Sequence, residues 1–517
     1  MKSRRRVWTS RVVKLLVAGI FLLWFVPFAY ERITTPPGRA PDDFRDLIAE
    51  FYQPGENDAT TEWLAALSAL PVDPTFDEPP PAGRQWEFQR DGTAAPMLYD
   101  DPTDMLVGAW DPASRPTLRV WIRFIRSEQT SAALQRITAL RERPWLWDIS
   151  PLAAVGADIP PGVDYGHARR AAELLVGRSR YRREEHGDAV GAWEDLKTVL
   201  LMVRGPRRDM LIPALITTAC EALALAELRH MAREVEFDED VARDIQETLQ
   251  SLPSPENAWT EAMRGEIADT LHLASALYSD GGRGNGWLVL SEQPDAEAYM
   301  SGAGGSLAPA DRSRLWNLLS PLYNDRRTVQ DRVKAYWTER AHVVGLDYGD
   351  AVRRLSALDQ QPQFGPTDGP CLDALGRFLW GVTRAYQLLV RLESTRHATR
   401  LMVALNCYKA ERGRFPAALD ELVPQFIAAL PTDPYCAESF GYRLDAASGY
   451  ILYARGLDGD DDGGRATRDS EGRPRAMGDE GDDIYTFPRD APDMPEPKAV
   501  PLAKPDASTQ QPDGMVP

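Results

Sequence analysis

Apolar positions recur at three- and four-residue steps through most of residues 117–276, the spacing of one buried face of a helix. Over 117–143, Val120, Ile122, Ile125, Ala132, Leu134, Ile137 and Leu140 predict one amphipathic helix, closed by Pro144 and Pro151. His167–Glu185 presents Ala171, Leu174, Leu175 and Tyr181, and Ala189–Arg204 presents Ala192, Trp193, Leu196, Val199 and Leu200. The "HGD" turn at 186–188 predicts that these two helices fold back as an antiparallel hairpin. Residues 210–234 are nearly apolar, but Pro213 and Glu221 predict a buried core helix and not a membrane span. Helices are also expected over 238–252, 258–276 and 325–358.

The pattern changes after residue 378. A long helix is predicted from Leu379 to about Arg412, with Leu388, Leu392, Thr395, Ala398, Met402, Leu405 and Tyr408 on one face. Gly413 and Pro416 stop it. "AALDELVPQFI" predicts a short second helix. "GYRLD" and "GYILYA" alternate as a two-stranded hairpin, and "DDIYTF" (482–487) supplies a third strand. The expected fold is mainly α, with a small α+β module of one long helix and a three-stranded antiparallel sheet.

The amino terminus adds an address. "MKSRRRVWTSRVVK" is basic, and no charge follows from Leu15 to Tyr30. A helix from Val12 to Tyr30 is about 28 Å long at 1.5 Å per residue, close to the hydrocarbon thickness. The basic flank stays on the cytoplasmic side, so residues 1–33 read as a single-pass inner-membrane anchor, with a cleaved signal peptide as the rival reading, and both place the body extracytoplasmic. A tether and irregular segment (34–116), a helical body (117–358), the α+β module (379–487) and a Pro-rich disordered tail (488–517) follow. The net charge is −18, residues 1–40 carry +7 and the remainder therefore −25, which argues against nucleic acid as a partner. The cysteines Cys220, Cys371, Cys407 and Cys436 form no CxxC pair. Cys407 and Cys436 are either a disulfide, if the body lies outside the cytoplasm, or separate thiols.

The chain contains no HExxH, no GxSxG and no usable nucleotide loop, so no catalytic residue is assigned. One stretch does carry chemistry. "GLDGDDDGG" places Asp458, Asp460, Asp461 and Asp462 within five positions, and like charges this close need solvent, a counter-ion or a metal. Oxygen donors alone favour a hard cation such as Ca2+. Asp458, Asp460, Asp462 and Gly463 fit the opening of an EF-hand-type loop, whose twelfth position is Asp469. A plain solvated loop is the other reading.

The stretch "ALNCYKAERGRFPAALDELVPQ", the "DP" turn at Asp433–Pro434, the Gly456–Asp458–Gly459 loop and the Asp483–Ile484 pair together resemble the globular part of the type II secretion major pseudopilin. The resemblance covers about a fifth of the chain, and it matches Tyr408, Gly413, Arg414, Phe415 and Pro416 at the helix end. It implies a structural calcium in the loop before the last strand, held by Asp458 and Asp483, with Asp482 and the Leu457 carbonyl as further ligands. The first functional expectation is a membrane-anchored interaction or scaffold protein that meets envelope or secretion proteins. An accessory subunit of a secretion or pilus-like assembly is the second, and an enzyme with an unrecognised site in the helical body is the third.

Overall fold

The computed structural model describes residues 59–71, 87–88, 94–95, 110, 112–113, 116–143, 145, 165–204, 211–277, 325–360, 382–445, 449–465, 467–468, 474–475 and 482–485. The expected anchor, the proline-rich breaks, the glycine-rich stretch 280–312, the tail, Cys371 and Asp469 lie outside these residues. The described residues form eleven α-helices and a three-stranded antiparallel sheet. They divide into a unit ending at Arg396 and a unit beginning at His397.

The first unit is helical apart from the small pair β1 (Glu87–Phe88) and β2 (Ala94–Ala95). Its opening helices are α1 (Thr60–Ser68), α2 (Pro116–Arg126) and α3 (Glu128–Leu140). The single helix expected over 117–143 is therefore two. Ser127 breaks it, because its Oγ accepts from the Thr130 N–H at 3.3 Å and donates to the Thr130 Oγ1 at 2.9 Å. A serine that caps a new helix competes with continuation of the old one. Ser127→Ala is expected to cost about 1 kcal/mol of stability by cap loss, read from urea unfolding midpoints.

The centre of this unit is α4 (Tyr165–His186), α5 (Ala189–Arg204) and α6 (Leu211–Glu234). Helices α4 and α5 form the expected hairpin, with Gly187 at a φ of 63° making the turn. A buried ion pair closes it: Arg178 donates through Nε to Asp195 Oδ2 at 2.9 Å and through Nη2 to Oδ1 at 2.5 Å. Helix α6 packs against both. It is the one described helix long and apolar enough to cross a membrane, and 56% of its apolar window is buried within the protein. Its acids Glu221 and Glu227 are buried and ion-paired.

Then follow α7 (Glu239–Gln250), α8 (Pro255–Leu277), α9 (Arg326–Ala341) and α10 (Tyr348–Gln360). The helix expected over 325–358 is split at the turn where Gly345 has a φ of 81°. Indole groups staple the unit. The Trp259 Nε1 of α8 donates to the Arg340 carbonyl of α9 at 3.0 Å, and Trp63 of α1 stacks on Trp145 with ring centroids 4.9 Å apart.

Helix α11 (Val382–Arg412) passes from the first unit into the second. Gly413, at a φ of 70°, ends it as the sequence predicts. The second helix expected in "AALDELVPQFI" is only a 3-10 turn, Leu419–Leu422, since Pro424 forbids its extension. The sheet runs β3 (Gly441–Asp445), β4 (Gly449–Ala454) and, later in the chain, β7 (Asp483–Ile484), in the order β3-β4-β7. Between β4 and β7 lies a short pair, β5 (Thr467–Arg468) and β6 (Pro474–Arg475). Ile451, Ile484 and Tyr453 pack together on the sheet. Cys407 and Cys436 are thiols and do not form a disulfide.

Candidate metal centre

The acidic loop leaves β4 at Arg455, and one buried acid fixes that exit. Asp433 is 1% exposed and accepts from the main-chain N–H of Tyr435 at 3.0 Å and of Arg455 at 2.9 Å. The Asp-Pro turn and the end of β4 are thus tied to the same carboxylate. Burial raises the Asp433 pKa, and the two N–H bonds oppose the rise. The turn is closed by the Asp433 N–H donating to the Glu438 carbonyl at 2.7 Å, and Arg455 pairs with the Glu438 carboxylate.

Within the loop, short carboxylates bind the main chain two residues on. Asp458 Oδ1 accepts from the Asp460 N–H at 3.2 Å, and Asp461 Oδ1 from the Gly463 N–H at 2.9 Å. These Asx turns hold the acids close together. Gly464 has a φ of 72°, and a Cβ there would lie 2.8 Å from the Tyr453 ring. The loop can press onto β4 at that point only through glycine. The Tyr453 hydroxyl also reaches Asp461 Oδ1 at 3.3 Å.

Asp482 closes the loop from the far side. Its side chain is buried, and Oδ2 accepts from the Gly464 N–H at 2.8 Å. Oδ1 is buried with no hydrogen-bond partner among the described residues. Burial pushes the Asp482 pKa up to about 6, the Gly464 and Asp462 N–H groups oppose the rise, and repulsion from Asp461 and Asp462 adds to it. The Asp462 pKa is raised as well, by burial first and then by Asp458 and Asp460. Asp482 and Asp462 are therefore both harder to ionise than a free aspartate, by burial first and by their acidic neighbours second.

The residues expected to ligate a cation fall in different places. Asp458 and Asp460 are exposed on the loop, Asp462 is half-buried, and Leu457 is buried. Asp483 is fully buried on β7 opposite Ala454, and its Oδ2 accepts the Tyr435 hydroxyl at 3.0 Å. Asp461 was not among the expected ligands, yet it faces Asp482 closely enough to raise its pKa. Its place two residues before Gly463 in a run of acids is the signal in the sequence.

The donor set fits a hard cation, since it is all oxygen and includes an orphaned buried carboxylate atom. The carboxylates alone do not converge as a trio. Among the described residues, three ligand atoms lie within 4.8 Å of one another at Glu184, His230 and Glu234 instead. A cation in the loop must draw on main-chain carbonyls beside the carboxylates. No protein-family model, curated protein or solved structure matches this chain, so these residues carry the functional argument by themselves.

Proposed function

We propose that this chain is a membrane-anchored, extracytoplasmic interaction or scaffold protein whose second unit is locked by a structural Ca2+-type cation. The observation that carries the cation is the buried, unpartnered Oδ1 of Asp482 beside Asp461 and Asp462. Asp482, Asp458 and Asp462 would hold the ion, with the Leu457 carbonyl and Asp460 as further donors. Asp483 supports from β7. The ion supplies charge neutralisation and fixes the loop on the sheet. No bond is made or broken by it in this reading.

Basic residues 2–14 followed by an uncharged apolar run support the anchor and the orientation. The order of helix end, Asp-Pro turn, hairpin and last strand supports a second reading, an accessory subunit of a type II secretion or pilus-like assembly. The two readings separate by affinity capture from native membranes. Secretion components that stay bound to wild type and leave Asp458→Ala/Asp483→Ala favour the second.

Thermal melting of the full-length chain tests the cation. At Ca2+ near one hundred times Kd, the second unit should gain about 3 kcal/mol over its chelator-treated form. Asp482→Asn should remove that gain. The sign of the pH dependence follows from the raised pKa. Without cation, an acid whose pKa rises from 3.8 to about 6 on folding favours the folded state at low pH. Stability then declines as pH climbs from about 4 through 6. Asp482→Asn should flatten that decline. Identical melting curves with Ca2+ and with chelator would remove the cation from this reading.

A further inference from the structure

The carboxy-terminal ends of α4 and α6 lie side by side, and three ligand-bearing side chains meet there: Glu184 from α4, and His230 and Glu234 one turn apart on α6. We propose that these three residues form a second, chemically distinct metal site for a Zn2+-type ion.

Four features carry it. First, His230 Nε2 and Glu234 Oε1 face each other at 3.6 Å. That is too long for a hydrogen bond. It is close to the roughly 3.4 Å between two ligands of a tetrahedral zinc with bonds of about 2.0–2.1 Å. Second, the half-buried His230 ring makes no hydrogen bond to any described residue.

Third, Arg183 grips Glu234 Oε2 and, at 3.1 Å, Glu184 Oε1, which leaves Glu234 Oε1, the oxygen that faces His230, outside its grip. An arginine in that position orients the ligands as outer-shell partners do. Fourth, Glu227 accepts the other edge of the same guanidinium through Oε1 at 3.1 Å, while its Oε2 is buried with no partner. Glu227 is 2% exposed, so an acceptor is left unmatched in the interior of this network. The negative ends of two helix dipoles add to the pull on a cation. Imidazole with two carboxylates suits Zn2+, whereas the all-oxygen loop suits Ca2+.

Calorimetric titration of the full-length chain with Zn2+ tests it, with Co2+ absorption as a second readout. The expected result is micromolar binding that Ca2+ does not displace. His230→Ala should weaken it by more than the roughly tenfold that loss of an outer-shell partner costs. Glu234→Gln, which keeps the side-chain shape, should weaken it likewise. Both variants should keep the Ca2+-dependent melting shift of wild type, which separates this site from the loop. Zn2+ affinity equal in wild type and both variants, or absence of binding at submillimolar Zn2+, leaves an ion-pair network only and overturns the proposal.

Discussion

Glu221→Ala is expected to cost about 3–5 kcal/mol, because it strands a buried guanidinium. Glu221 is 0% exposed in the middle of α6, and Arg396 on α11 is 3% exposed. Arg396 donates through Nε to Glu221 Oε1 at 2.8 Å. Its Nη1 is held by the Pro253 carbonyl at 3.0 Å and by Glu393 at 2.8 Å. Removing Glu221 leaves the charge with one half-solvated acid, Glu393. Glu221→Gln should cost less, since an amide oxygen still accepts from Nε while the charge is lost. The double replacement Glu221→Leu/Arg396→Met should recover most of the loss, because two apolar side chains of similar volume avoid the desolvation of both ions. Urea unfolding followed by tryptophan fluorescence reads all three. A loss under about 1 kcal/mol for Glu221→Ala would show that the interior relaxes to admit water at Arg396.

The same pair shows what a sequence conceals. Glu221 already argued that α6 is a core helix and not a membrane span, since an interior acid needs a partner. Its partner stands 175 positions away, and no local pattern names it. The helices themselves were legible because apolar periodicity is a local property. Ala189–Arg204 begins and ends where its spacing predicts. The errors of outline came where a single residue, Ser127, Gly345 or Pro424, redirected the backbone. Ser127 turns one amphipathic run into two helices, although the apolar spacing continues through it. Pro424 reduces an expected helix to one turn.

In the acidic run, spacing identified the loop but not which carboxylate lies unmatched inside it. That depends on the register of the last strand. Asp483 pairs with Ala454, and adjacent residues of an extended chain face opposite ways. So Asp483 meets Tyr435 while Asp482 meets Gly464. The Glu184–His230–Glu234 group was harder to see. The His230–Glu234 step is a local signal, but Glu184 joins it only through the packing of α4 on α6.

Gly441→Ala should unsettle both the sheet and the acidic loop, through one aromatic ring. Gly441 lies opposite Tyr453 in the β3–β4 register, and a Cβ on it would fall 2.1 Å from the Tyr453 ring. The contact is with the body of a ring and not with a flexible tip, so the ring must move. Overpacking of this kind costs about 1–3 kcal/mol. Tyr453 does more than cover a glycine. It packs on Ile451 and Ile484, lies against Gly464, and brings its hydroxyl to Asp461. Displacing it removes the surface on which the loop rests. The variant should therefore lose stability with chelator present and also show a smaller Ca2+-dependent gain than wild type. Tyr453→Phe separates the two contributions, since it keeps the ring over Gly441 and removes only the reach to Asp461. It should hold nearly all of the stability and nearly all of the Ca2+ response. If Gly441→Ala lowers stability yet leaves the Ca2+ gain untouched, the loop is positioned by Asp433 and Asp482 without help from the sheet face.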